Sequence, residues 1–478
     1  MKTAIARLSI ILVVAAMLLA ACGGGAAPTA TTAPVETQAP AATQAPAATE
    51  APAATTAPAA TAAPAATTEA AATTAPAATT QAPAASSGVV LHALIRPDEG
   101  ANVAQYTAEF EKQTGIKVQV DFVGWDTIHD KTVTTLASGG GGYDIIFIPS
   151  ANAFEFASGG WFEPIDDIIP ANERDQWLKP VLDLYTFDGH LIANPWYSGG
   201  AHMAYNKDVL DKAGVDPSTI KTWDDFMAAC KTIKDKGAAE FCFTPSAKYA
   251  GEFYYSIGTM VLSNGSDFFD AAGKPVFQND ATTKAFTLLK DGVTKGYVNK
   301  AGIDMDDYAT LIEFGTGKTA FLLDSTWSVT NANNNKDVSK ILGKVGYMLI
   351  PGTASQRSSG YLYAGGLGIL KTSKYKAEAM KYIQFQTSEA AQKDHAIKGA
   401  NMPTRVALFK DADIANAWPG FETLAQQLTY GKFPPQFTWF EEWRRSLSSA
   451  EQDVIAGRKS PADAITWLVA ETKRISGG

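Results

Sequence analysis

The chain has 478 residues, with 40 Lys or Arg against 49 Asp or Glu, so its formal net charge at pH 7 is -9. This mild acidic excess argues against a nucleic-acid-binding protein, which needs a basic face to displace counterions. A hydrophobic share of 46% and an aromatic share of 10% exclude a wholly disordered chain.

The N-terminus has the pattern of an export signal. Lys2 and Arg7 come before or at the start of an apolar run, residues 8–21, that is too short to remain as a membrane helix. The Leu-Ala-Ala-Cys sequence ending at Cys22 resembles the signal of bacterial lipoproteins, which predicts a signal peptide over 1–21 and a lipid on Cys22. The chain would then be anchored on the outer face of the cytoplasmic membrane. The alternative is an ordinary secretory signal with an incidental cysteine.

Residues 22–88 predict a disordered linker behind that cysteine. From residue 26 to 87 the chain uses almost only Ala, Pro and Thr, so it has nothing large and apolar to bury. The repeated prolines favour polyproline II and prevent long helices. The chain from residue 89 onwards is long enough for two lobes that each bury a core.

Strands and helices alternate at the start of the folded part. Gly115 is placed to end the first helix, in which Val103, Tyr106 and Phe110 share a face. This order predicts an α/β lobe, whose ligand sites lie beyond the carboxyl ends of its strands. The predicted elements are a strand at 89–94, a helix at 100–113, a strand at 116–122, a helix at 128–137 and a strand at 144–148.

Capping residues predict where two later helices begin. Thr222 and Asp225 fit a capping box, in which the side chain of each residue accepts a hydrogen bond from the backbone N–H of the other. Ser460 followed by Pro461 predicts another start, with Ile465 and Leu468 on the buried face.

A series of short motifs, each weak alone, occurs in a recognisable order over residues 89–470. It resembles the signature of family 1 extracellular solute-binding proteins, the maltose-binding-like receptors of ABC importers. The matching segments are 143–147, 159–165, 189–195, 205–208, 210–214, 222–224, 314–320 with Trp327, 365–369, 379–391 and 403–405.

This resemblance implies a periplasmic-binding-protein-like type II fold, in which two α/β lobes enclose a hinged ligand cleft. It implies one lobe from 89–200 plus 353–410 and a second from 201–352 plus 411–478. The chain is then expected to bind a sugar as a monomer and to deliver it to a membrane permease with its ATPase, without doing chemistry and without a cofactor.

Candidate ligand-binding residues come from two sources. Strand ends offer polar groups and one ring, which suits hydroxyl recognition: Asp98, Glu99, Trp125, Ser150 and Asn152. Positions implied by the resemblance add rings and further polar groups, since sugars stack on aromatic faces: Trp196, Tyr197, Glu252, Tyr254, Trp327, Tyr363, Gly365, Trp439, Phe440 and Arg444. For most of these the competing interpretation is a solvated loop acid or a core ring, and Trp161, Trp177, Trp223 and Trp467 are interpreted as core.

One departure from the family concerns the loop after the third strand. Maltose-binding relatives carry an aromatic and a charged pair at positions matching Ile148, Ala151 and Asn152. Maltose specificity therefore does not transfer to this chain.

Catalytic and metal motifs are weak. Residues 315–319 look like a phosphate loop, but Ile312 stands where the pattern needs its first glycine. The five histidines do not fall at zinc-ligand spacing, so no metal site is expected. Acidic residues are numerous, so a surface enzyme acting on glycans stays open as an alternative.

Cys230 and Cys242 are the other two cysteines of the chain. They lie twelve residues apart in a chain predicted to be exported, where oxidation is permitted. A disulfide between the end of a helix and a short strand is predicted, the alternative being two buried thiols.

Other cargoes remain open within the same fold. A polyamine, a metal or glycerol phosphate would use the same cleft with different side chains. A further alternative, besides another cargo or a glycan-acting enzyme, is a ligand sensor for a membrane kinase. The identity of the sugar and its length are not predicted.

Overall fold

The computed structural model describes residues 88–96, 100–249, 255–270 and 272–477. The predicted signal peptide over 1–21, the lipidation site Cys22 and, apart from Gly88, the linker over 22–88 lie outside the described residues. So do Asp98, Glu99, Glu252 and Tyr254. The described residues all belong to one compact unit, 79–478.

The strands include two long ones and several short ones. They are β1 (Val90–Ile95), β2 (Lys117–Phe122), β3 (Ile145–Pro149), β4 (Thr186–Phe187), β5 (His190–Leu191), β6 (Asn194–Asn206), β7 (Phe241–Phe243), β8 (Thr319–Ser325), β9 (Val345–Met348), β10 (Gly360–Ile369) and β11 (Gly431–Lys432).

The α-helices vary from six to sixteen residues. They are α1 (Gly100–Thr114), α2 (Trp125–Ala137), α3 (Ala153–Ser158), α4 (Lys179–Leu184), α5 (Lys207–Ala213), α6 (Trp223–Asp235), α7 (Ile257–Ser263), α8 (Asp280–Thr294), α9 (Asp307–Gly315), α10 (Thr326–Asn334), α11 (Lys376–Gln386), α12 (Glu389–Gly399), α13 (Ala412–Ala417), α14 (Phe421–Leu428), α15 (Phe440–Ile455) and α16 (Pro461–Ser476).

The predicted strand–helix order at the start of the folded part is confirmed, with ends that differ by a few residues. The first helix ends at Thr114, and Gly115 follows with φ of +70°, a conformation that glycine adopts without strain. The capping box of α6 is also confirmed, because the Thr222 and Asp225 side chains each bind the other's backbone N–H. Ser460 caps α16 by accepting from the Asp463 N–H.

Within the described residues, nine strands form one mixed sheet in the order β2-β1-β3-β10-β6-β8-β7, with β11 beside β10 and β9 beside β6. Strand β1 runs parallel to β2 and β3, whereas β10 runs antiparallel to both β3 and β6. The carboxyl ends of β1, β2 and β3 therefore meet at one edge of the sheet.

Strand β6 connects two groups of packed elements. Up to Gly200 it pairs with β10, and from Ala201 it pairs with β8. The change of partner coincides with the lobe boundary predicted at 200/201, although the full lobe limits remain a prediction. We call the elements around β1–β3 with α1–α3, α11 and α12 the first lobe, and those around β7–β9 with α5–α10 and α14–α16 the second lobe.

Helices cover the sheet by burying apolar faces. On α1, the Phe110 ring meets Tyr382 at 5.2 Å and Phe385 at 5.6 Å between centroids. Burying a ring of this size stabilises the fold by about 1.5–3 kcal/mol. Helices α15 and α16 pack on α8 in the second lobe. Among the described residues, no helix combines the length and the hydropathy that crossing a bilayer requires.

Candidate functional site

The carboxyl ends of β1, β2 and β3 bring several candidate residues to one edge of the sheet. Arg96 follows β1, Trp125 opens α2 shortly after β2, and Ser150 begins a short 3-10 turn directly after β3. Asn152 ends that turn and, like Ser150, is buried. The strand ends thus bring Trp125, Ser150 and Asn152 to one edge of the sheet, and their role in binding stays a prediction.

A pocket between the two lobes begins at this edge. The first lobe contributes Trp125, His129 and Asn152, and the second lobe contributes Arg444 from α15. The remaining lining residues are Ile128, Asp130, Pro149, Ala151, Tyr249, Glu441 and Arg445. The cavity measures about 20 Å³, which is enough for one water molecule. A ring-sized ligand at this position therefore requires the two walls to separate.

Arg96 is held firmly beside the pocket. Its guanidinium carbon lies 3.3 Å from the centroid of the Trp125 ring, and its Nη1 donates to the Tyr197 hydroxyl at 2.6 Å. Arg96 is 6% exposed. Cation–π stacking and a charge-assisted hydrogen bond thus orient both the guanidinium and the Trp125 ring.

Behind Arg96 lies a cluster of buried aromatic rings. Trp196 is 2% exposed and Tyr197 is 1% exposed, and their ring centroids are 5.5 Å apart. The ring centroids of Tyr363 and Tyr197 are 6.3 Å apart, and the Tyr363 hydroxyl donates to the Asn401 side chain at 2.7 Å. A β-carbon on Gly365 would lie 2.5 Å from Tyr197, so glycine is required for this packing. In this conformation the cluster supports the wall of the cleft.

The other predicted rings lie elsewhere. Trp327, near the start of α10, is half-buried with its ring 6.3 Å from Tyr308. Trp439 stacks on Phe437 at 4.5 Å, and Phe440 stacks on Trp443 at 5.7 Å. None of Trp327, Trp439 and Phe440 is among the described residues that line the pocket shared by Trp125 and Arg444.

Charge is concentrated at the pocket. The His129 ring binds Glu155 at 3.0 Å and Asp130 at 2.9 Å. Burial lowers the pKa of His129, but these hydrogen bonds and the charge of Glu441 outweigh it and raise the pKa to about 9. His129 is therefore a cation at neutral pH. Across the pocket, Glu441 forms ion pairs with Arg444 and Arg445.

Several residues of the site were not predicted from the sequence: Arg96, His129, Glu155, Tyr249 and Glu441. Two of them carried a usable signal. Arg96 directly follows the first strand, and His129 lies one helical turn beyond Trp125 on the same face of α2. Tyr249 and Glu441 reach the pocket only through the packing of the second lobe against the first.

The described residues contain no group of three or more His, Cys, Asp or Glu side chains that could hold a metal ion. Away from the pocket, the structure joins Cys230 and Cys242 by a disulfide with a Cα–Cα distance of 5.2 Å. This bond connects α6 to β7 and takes no part in the site.

Comparison with known families decides the class. The model of the bacterial extracellular solute-binding proteins matches residues 96–393, which is more than half of the chain. The chain belongs to this family. The family consists of binding components, so this solute-binding protein is not an enzyme, and its place is outside the cytoplasm.

Relatives and solved structures agree with this assignment. The mannitol-binding protein of Pseudomonas aeruginosa is 26% identical over 298 residues, covering 61% of this chain and 68% of that protein. The diacetylchitobiose-binding protein DasA of Streptomyces coelicolor is 26% identical over 379 residues, covering 78% and 86%.

Among solved structures, maltose-bound MalE3 of T. maritima superimposes with a TM-score of 0.73 at 23% identity, covering 81% of this chain and 100% of that one. The two-lobed type II binding-protein fold expected from the sequence is confirmed by this likeness.

Proposed function

We propose that this solute-binding protein captures a sugar or sugar alcohol between its two lobes and delivers it to the permease of an ABC importer. The relatives support a carbohydrate-like cargo, since they are named for binding mannitol, arabino-oligosaccharides and diacetylchitobiose. Resemblance to maltose-binding relatives does not extend to the loop after β3, so the cargo is proposed as a class.

The observation that carries the proposal is the meeting of a ring and polar groups from both lobes at the strand ends. Trp125 offers an apolar ring, while Asn152 and Arg444 offer hydrogen-bonding groups from opposite lobes. A sugar presents C–H faces and hydroxyls, so it needs both kinds of partner. Contacts to both lobes would stabilise the closed form, and the permease would recognise that form.

A thermal-shift screen tests the cargo class. The panel is mannitol, ribitol, arabino-oligosaccharides, diacetylchitobiose and maltose, with spermidine and glycerol 3-phosphate as competing chemistries. A true ligand at 100 times its dissociation constant adds about 2.7 kcal/mol to the free energy of unfolding. We expect a shift with at least one sugar or sugar alcohol. A shift with spermidine or glycerol 3-phosphate alone would contradict the proposal, and turnover of an oligosaccharide would indicate an enzyme.

Substitutions test the residues. Trp125→Ala is expected to weaken binding of the identified sugar about fivefold, because it removes from the pocket a ring worth about 1 kcal/mol of stacking. Trp467→Ala is the matched control, since that half-buried ring on α16 lies under Lys459, 4.6 Å away, on the second lobe. If calorimetry finds the affinity of Trp125→Ala unchanged, the Trp125 ring does not contact the sugar.

We further propose that the mature protein is a lipid-anchored monomer. The Leu-Ala-Ala-Cys motif and the Ala/Pro/Thr-rich linker support an anchor on Cys22 that lets the binding domain stand away from the membrane. Labelling with radioactive palmitate should mark the wild-type protein and leave the Cys22→Ser variant unlabelled. Labelling of both proteins would refute an anchor at this position.

A further inference from the structure

One side chain of the second lobe binds the first lobe's backbone directly. Gln436 lies between β11 and α15, and its Nε2 donates to the Ser150 carbonyl oxygen at 3.3 Å. Its Oε1 accepts from the Phe154 N–H at 3.3 Å. The same Nε2 also reaches the carbonyl of Pro434 at 3.0 Å. A single amide thus bridges two backbone groups at the end of β3 and the start of α3.

Charged groups of the two lobes face each other next to this bridge. On the first lobe, the imidazolium of His129 is flanked by Glu155 and Asp130, and the Arg96 guanidinium stacks on Trp125 nearby. On the second lobe, Glu441 is paired with Arg444 and Arg445, which leaves one positive charge. The carboxylate of Glu441 and the imidazolium of His129 attract each other across a cavity of about 20 Å³.

These contacts join protein to protein. Their free energy therefore does not depend on a ligand group, and they exist only while the lobes are together. Trp125 and Arg444 line the same pocket as His129 and Glu441, so a sugar held by Trp125 and Arg444 would compete with the contacts between the walls. His129 lies one turn beyond Trp125 along α2, on the side of the charged walls.

We propose that Gln436 and the two charged walls form an interlobe latch, which keeps a substantial fraction of the ligand-free protein closed. The inference rests on the proposed closure of the lobes. It adds which residues set the equilibrium between the open and closed forms. Because the latched cavity has room for about one water molecule, a ring-sized ligand binds only after the latch opens, so a weaker latch raises the apparent affinity of every such ligand by the same factor. The latch thus sets part of the free energy that opening the cleft costs.

Spin-label distances measured without any ligand test the latch. Labels attached through non-natural side chains at exposed Lys131 on α2 and exposed Ser449 on α15 report the separation of the lobes and leave the cysteines untouched. The full-length wild-type protein should show a closed population at low salt that shrinks at 0.5 M salt, because salt screens the charged walls to a Debye length of about 4 Å.

Three variants complete the experiment. Gln436→Ala and Arg445→Glu should each lower the ratio of closed to open protein about fivefold, which is the effect of losing one or two hydrogen bonds or reversing one facing charge. Gln452→Ala is the matched control, because Gln452 binds the carbonyls of Ala247 and Ile303 within the second lobe. Circular dichroism confirms that each variant is folded.

The outcomes separate this inference from the proposed function. A closed population that is the same in Gln436→Ala, Arg445→Glu and Gln452→Ala would overturn the latch, and so would a wild-type protein that is entirely open. Neither result depends on whether a sugar is the cargo, and a failed sugar screen would leave the distance measurement unaffected.

Discussion

A carboxyl group buried inside the second lobe stands out among the individual residues. Glu451 lies on α15 and is 0% exposed, and it accepts from the Ser256 hydroxyl at 2.8 Å. Burial raises its pKa to about 8, outweighing the hydrogen bonds from Ser256 and from the Ile257 N–H. The folded protein therefore keeps a proton on Glu451 that the unfolded chain releases at a lower pH.

This difference makes stability depend on pH. Between the ordinary pKa of 4.5 and the folded value of about 8, the folded state binds more protons, so the contribution of Glu451 falls as the pH rises through this window. Glu451→Gln retains the acceptor and removes the charge. We expect the variant and the wild type to have similar melting temperatures at pH 5, and the variant to melt higher at pH 9. Equal melting temperatures at both pH values would contradict the buried neutral carboxyl.

At the scale of elements, a capping box and a disulfide both stabilise α6. The capping box at Thr222 begins the helix, and Cys230 on its buried face joins Cys242 on β7. Both sulfur-bearing residues are buried, at 0% and 2% exposure. The disulfide therefore fixes a helix against the edge strand of the sheet, where fewer ladder hydrogen bonds hold the strand.

Loss of this bond should be measurable. Closing a loop of this length restricts the unfolded chain by about 3 kcal/mol, so the double variant Cys230→Ser and Cys242→Ser should unfold at a lower urea concentration. Mass spectrometry of the unreduced wild-type protein should find neither cysteine open to alkylation. Two alkylated thiols in that sample would refute the bond, and the variant would then lose little stability.

At the scale of the whole molecule, β6 ties the two lobes together where it changes partner. The Thr326 hydroxyl accepts from the Gly200 N–H at 3.0 Å and donates to the Gly200 carbonyl at 3.3 Å. It also lies 2.9 Å from the His202 ring, which is buried and has a pKa lowered to about 3 by burial. One hydroxyl thus forms hydrogen bonds with both the N–H and the carbonyl of Gly200, where the strand passes from one lobe to the other.

Thr326→Val keeps the shape of the side chain and removes this hydroxyl. The buried Gly200 N–H then lacks a partner, which should lower the free energy of unfolding by about 1–3 kcal/mol. Thr326→Ser is the control, because it retains the hydroxyl, and it should lose clearly less. Urea denaturation of the two variants checks this, and equal losses would show that the methyl group rather than the hydroxyl matters.

Much of the fold follows from local pattern. The first three strands, the helices between them and the capping box at Thr222 were predicted because apolar periodicity and capping chemistry involve residues close in the chain. The candidate site was predicted only in part. Trp125, Asn152 and Arg444 share one pocket, whereas Trp327 and Trp439 pack with other rings, because a motif shows that a ring is present and says nothing about which neighbours cover it.

The sequence by itself determined the class of the protein, since the order of strands, helices and family motifs survives any change in side-chain packing. Only the tertiary structure decided that Arg96 lies on Trp125 and that Gln436 reaches the end of β3. It also decided that Glu441 faces His129. These contacts join segments up to about three hundred residues apart, and their geometry comes from how the lobes close on each other. No local pattern contains that information.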